Sequence, residues 1–143
     1  MNQLNQSLEQ IYNQALESYT AGEEPQKLIP IFKDICNQAP KFSYGWSGLA
    51  WLYLLNNQPE EAFKAAKKGV KTNTHSPQAR VNLALAMLAT GQKGVREHVR
   101  EAQFMMAQSD ELLQEVEENI QDGLSRKPDW PELEKVKKWL FES

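Results

Sequence analysis

A chain of 143 residues with 41% hydrophobic content and a net charge of −3 can close one continuous apolar core, but it lacks the basic footprint of a dedicated nucleic-acid binder. Its only cysteine, Cys36, excludes an internal disulfide and a multi-thiolate metal site. No apolar run reaches the ~18 residues of a membrane span, and the first residues lack the basic and apolar regions of a signal peptide. A cytoplasmic protein with no membrane span is therefore expected.

In chain order the elements repeat. Tyr12 and Trp46 are 34 residues apart, as are Tyr19 and Tyr53, and self-similarity at that period marks stacked helical hairpins. The first unit, 9–42, carries Tyr12, Ala15, Leu16 and Tyr19 on one helix, then Leu28, Phe32 and Ile35 on the next, with Pro40 after it. The second, 43–76, aligns Trp46, Leu49, Ala50 and Tyr53 with that first helix, and Ala62, Ala66 and Gly69 with the second. A third unit, 77–109, sets Leu83, Ala84, Met87 and Gly91 in register and continues through Val95, Val99 and Ala102 after a one-residue deletion. The fourth, 110–142, keeps only two apolar stripes, Leu113, Val116, Ile120 and then Leu133, Val136, Leu140. It has the weakest pattern and is expected to be the least protected against amide exchange.

Local signals agree with eight helices. Pro25, Pro59 and Pro77 each stand where a first helical residue would lose nothing by lacking an N–H. Ser76, Ser109 and Asp129 are expected N-caps, the last with Glu132 as a capping-box variant. Gly22, Asn56-Asn57, Thr90-Gly91 and Gly123 are expected turns. Pro30 falls inside a helix, where it costs up to ~3 kcal/mol, so that helix is expected to start late or bend.

On these residues the chain resembles the tetratricopeptide repeat (TPR), whose helix-turn-helix consensus places Trp, Leu, Gly and Tyr on helix A and Ala, Phe and Pro on and after helix B. Trp46, Leu49 and Tyr53 match with Ala50 in the Gly slot, while Phe32 and Pro40 supply the later positions in the first unit. The resemblance implies an all-α, right-handed α-solenoid of stacked antiparallel hairpins: about three TPRs and a degenerate fourth capping hairpin in a single domain. Tyr12, Tyr19, Phe32, Trp46, Leu49, Tyr53 and Ala62 are its expected structural residues.

Such scaffolds usually bind on the concave face, through helix A positions that the consensus leaves free. Tyr44, Gly48, Trp51, Leu54, Val81, Asn82, Leu85 and Leu88 occupy those positions and are the expected contacts for a mostly apolar peptide or helix of a protein partner. An apolar patch of that size normally marks an interaction surface. Gly48, a helical glycine, points to close approach by another chain or by a ring of the same chain. The chaperone-tail clamp of some TPR domains is not expected, because its slots hold Asn13, Glu17, Gly48, Gln78 and Asn82, none of them cationic, and Glu17 would repel a carboxylate. The free positions are closer to those of small TPR chaperones and assembly factors, such as bacterial secretion chaperones or the TPR proteins that assist photosynthetic complexes.

The expected role is thus an adaptor or assembly factor. A structural subunit, its apolar ridge buried in a homodimer or larger complex, is the alternative, and an enzyme the remote one. A third way to cover the ridge is with the chain's own C-terminal helices. No catalytic or metal-binding residue and no cofactor is expected, since neither His75 nor His98 has a second ligand at helical spacing and no phosphate loop or nucleophile elbow is present. Cys36, beside Ile35, reads as a buried structural thiol. Charge is segmented: −3 over 1–40, +4 over 41–80, +1 over 81–109 and −5 over 110–143. Lys64, Lys67, Lys68 and Lys71 form one stripe on a B helix, expected to be a solvated face, with a site for an acidic partner and a contact with nucleic acid or anionic lipid as the alternatives.

Overall fold

The computed structural model describes residues 2–142, with side chains from residue 7 onward. Those residues form α1 (Asn2–Thr20), α2 (Pro25–Gln38), α3 (Ser43–Leu55), α4 (Pro59–Thr72), α5 (Pro77–Ala89), α6 (Val95–Ala107), α7 (Asp110–Arg126) and α8 (Pro131–Phe141). Consecutive helices pack as antiparallel hairpins, and α3 also packs on α5, so the A-type helices line one side of the stack. Ala50, Ala62, Ala84 and Ala102, each without exposed surface, let backbones approach where neighbouring helices meet. Leu28, Leu52, Val81, Leu85 and Val99 fill the ribbon of core between them.

Caps and turns follow from local chemistry. Ser76 Oγ accepts from the Ala79 N–H and Ser109 Oγ from the Leu112 N–H. Gly22, Gly91 and Asn57 take positive φ and end the A helices α1, α5 and α3. Two expectations are corrected at the ends. The N-cap of α8 is Trp130, with no side-chain cap, because Pro131 already sits at the first helical position and moves the start one residue past Asp129. Helix α2 starts at Pro25, not late, with Pro30 inside it. Pro30 and Gln26, whose carbonyl loses its donor, are both exposed, so water can take that place.

The fourth hairpin departs from plain stacking. Helix α8 packs back onto α5 and α6 as well as α7, burying Trp130, Leu133 and Val136 in the common core. Gly123 is not a turn: it lies within α7 and is buried there. A Cβ at that position would stand 2.8 Å from Trp51 Cζ2, so the glycine lets α7 lie against the indole of α3. Helix α7 therefore crosses the concave side of the stack.

Candidate functional site

Two polar networks clamp α7 over the concave face. In the first, Asn119 Nδ2 donates to Gln78 Oε1 (3.0 Å), Gln78 Nε2 to Asn82 Oδ1 (2.8 Å), and Asn82 Nδ2 to the Ser47 carbonyl (3.1 Å), which links α7 through α5 to α3. In the second, the Tyr19 hydroxyl donates to the Asp122 carboxylate and accepts from Trp51 Nε1 (2.9 Å). Arg126 completes it. Its Nε bonds both Asp122 oxygens at 3.0 Å, its Nη2 donates to the Tyr19 carbonyl at 2.8 Å, and its guanidinium lies 3.6 Å from the centre of the Tyr19 ring. Burial, then the Asp122 hydrogen bond, pushes the Tyr19 phenol well above its ordinary range. Beyond the helix end, Lys127 Nζ reaches Asn57 Oδ1 (2.7 Å) and lies 4.8 Å over Trp130, whose ring is 5.4 Å from Trp51.

Between α7 and the A helices α1, α3 and α5 remains a cavity of about 270 Å³. One wall is aromatic. Tyr12 meets Phe32 edge-on at 6.0 Å and Phe42 at 5.0 Å, and Phe42 meets Tyr44 at 5.9 Å, the edge-to-face geometry that aromatic pairs prefer. The opposite wall is polar: Asn73, Ser76, Gln78, Asn82, Glu115, Asn119 and Asp122. Tyr44 (58% exposed) and Leu16 (39%) keep the mouth apolar and open. Burial, reinforced by Tyr44 and Glu115 nearby, pushes the Tyr12 phenol up to about 12. Burial, then the Glu111 charge, pushes the Glu115 carboxyl upward.

Of the expected concave contacts, Tyr44, Gly48, Trp51 and Asn82 line this cavity. Leu54, Val81 and Leu85 are buried in the core, and Leu88 is half-buried against it, so these four do not present an open apolar ridge. The reason is the irregular fourth hairpin, which packs on α5 and shields what a plain stack would leave bare. Gly48 is explained within the chain: a Cβ there would come 2.5 Å from Phe32 Cε2. Asn82, only 1% exposed, uses its amide in the relay to Ser47. The sequence reading missed Leu16, Glu115, Asn119 and Asp122. A signal existed, since 115, 119 and 122 share one face of α7, but a polar stripe reads the same whether it faces water or a groove.

Elsewhere the chain shows little chemistry. Cys36 lies 1% exposed, and burial pushes its thiol up to about 12. His98 sits between α5 and α6 with Nδ1 3.0 Å from Arg80 Nη1, while His75 is exposed. Among the described residues no group of three or more His, Cys, Asp or Glu could hold a metal, and no helix is long and apolar enough to cross a membrane. The four lysines of α4 are all exposed.

No protein-family model matches the sequence, and no curated protein sequence matches it. Solved structures do resemble it. A T3SS complex from Aeromonas hydrophila superimposes with TM-score 0.70 at 22% identity, covering 96% of this chain and 85% of that one. The Yersinia enterocolitica type III secretion chaperone SycD, in complex with a peptide of the translocator YopD, gives 0.69 at 21% identity over 92% of this chain and 93% of that one. The Sgt2 TPR domain of Aspergillus fumigatus gives 0.65 at 18%, over 92% and 80%. The fold is a TPR-like, right-handed α-solenoid.

Proposed function

We propose that this chain is a non-catalytic binding module, an adaptor or chaperone that takes a segment of a partner protein into the concave cavity under α7. The observation that carries the reading is the cavity itself, about 270 Å³ with an aromatic wall and an open mouth at Tyr44, in a solenoid similar to a secretion chaperone solved with a peptide of its translocator. Tyr44 and Trp51 act as aromatic anchors, the residue types that dominate such interfaces. Gly48 and Asn82 shape the floor. Leu54, Val81 and Leu85 lie in the core, with Leu88 half-buried against it, and take no part in the contact, and the working compartment is the cytoplasm.

Site-specific photocrosslinking tests the reading. A photoreactive phenylalanine analogue at position 44, offered a random dodecapeptide pool, is expected to capture peptides, whereas the same analogue at exposed position 64 of α4 captures none above background. Capture only from position 64, or equally from both, overturns the concave site. Light scattering on the purified chain separates a peptide-binding monomer from the alternative, a homodimer that buries the same mouth.

A further inference from the structure

The concave cavity has a chemical bias that apolar docking does not explain. Its lining holds two carboxylates, Glu115 and Asp122, and neither lysine nor arginine. Asp122 is already neutralised by Arg126, whereas Glu115 has no ion pair among the described residues. Glu111 stands one turn before it on α7, and like charges four residues apart destabilise a helix.

The aromatic faces of the cavity are open to a cation as well. Outside the cavity, Trp46, Phe63, Trp130 and Trp139 each carry a cation of this chain over the ring, at 4.4 to 5.7 Å, whereas among the described residues Phe42, Tyr53, Phe104 and Phe141 carry none. Within it only Tyr19 is capped this way, by Arg126, while among the described residues no cation of the chain lies over Tyr12, Tyr44 or Trp51. An aromatic wall facing an unpaired carboxylate suits a cationic side chain, whose stem lies on the rings while its head bonds the acid.

We propose that the cavity is a socket for one arginine or lysine side chain of the docked segment, with Glu115 as its counter-ion and Tyr12 and Tyr44 as its aromatic walls. This rests on the docking reading above and adds the chemistry of the residue that enters. The space is suitable, since about 270 Å³ accepts one long side chain with a few atoms of its backbone and not a whole helix. The preference also inverts that of a carboxylate clamp, which needs cations where this cavity has none.

The test uses an immobilised random dodecapeptide array probed with the whole wild-type chain and with the Glu115→Gln, Glu115→Lys and Glu118→Gln variants. Glu118, exposed on α7 outside the cavity, controls for net charge. Folding of each variant is checked by circular dichroism. The wild type and Glu118→Gln are expected to select peptides with arginine or lysine at one position flanked by apolar residues. In Glu115→Gln the affinity for those peptides falls about tenfold, the scale of a lost charge-assisted hydrogen bond. In Glu115→Lys the selected position becomes acidic. Selection of purely apolar peptides by the wild type, or a basic preference unchanged in Glu115→Gln or lost equally in Glu118→Gln, overturns the socket while crosslinking from position 44 still supports docking. Absence of crosslinking at 44 overturns both.

Discussion

Replacing Gly123 by Ala should destabilise the chain only while Trp51 is present. A Cβ at 123 would lie 2.8 and 2.9 Å from two carbons of the Trp51 ring and 3.1 Å from Leu133 Cδ2, closer than carbon atoms pack. Overpacking of this kind costs about 1–3 kcal/mol. Alanine returns roughly 0.8–1 kcal/mol of helix propensity, so the net loss is about 0–2 kcal/mol. Trp51→Ala removes a half-buried indole and its hydrogen bond to Tyr19, a loss of about 3 kcal/mol, at the lower end for a Trp truncation, or roughly 10 °C in melting temperature for a chain of this size. In the double variant the clash with the indole is gone and the propensity gain remains. Its stability should equal or exceed that of Trp51→Ala alone, a coupling of about 1–3 kcal/mol. Urea unfolding followed by circular dichroism on all four proteins measures it. Additivity within about 0.5 kcal/mol would mean that α7 does not lie on Trp51 in solution, and that the concave face is open.

Acid should weaken the fold through His98. Burial, then the Arg80 charge, lowers its pKa from an ordinary 6.5, with Glu97 and Glu101 opposing. Below pH 6.5 the unfolded chain binds a proton that the folded chain refuses, so stability falls from pH 6.5 down to the folded pKa and then levels. Comparing melts of the wild type and His98→Gln between pH 7.5 and 5.5 isolates this, and an identical pH dependence in both would refute it. Cys36 should react with a thiol reagent only after unfolding, because its sulfur is buried and its thiol is held protonated at neutral pH. Labelling in buffer as fast as in denaturant would show that α2 opens readily.

The hairpin stack was legible in the sequence because its cause is local and periodic. Spacing of 34 residues puts Trp46, Leu49 and Tyr53 where Tyr12, Ala15 and Tyr19 stand one repeat earlier, and each unit needs only its neighbour to bury that face. Serine caps at Ser76 and Ser109 likewise depend on three consecutive residues and their donors. The path of α7 was not legible. It depends on contacts between residues about a hundred positions apart, Tyr19 with Asp122 and Arg126, and on the missing Cβ of Gly123, which the sequence shows only as a turn-former. That path decides the site. It leaves Leu54, Val81 and Leu85 inside the core, and it brings Glu115 and Asn119 to a cavity whose other walls come from α1, α3 and α5. Periodicity fixes which face of a helix is apolar, because that follows from 3.6 residues per turn; what its polar face meets is set by the rest of the chain in three dimensions.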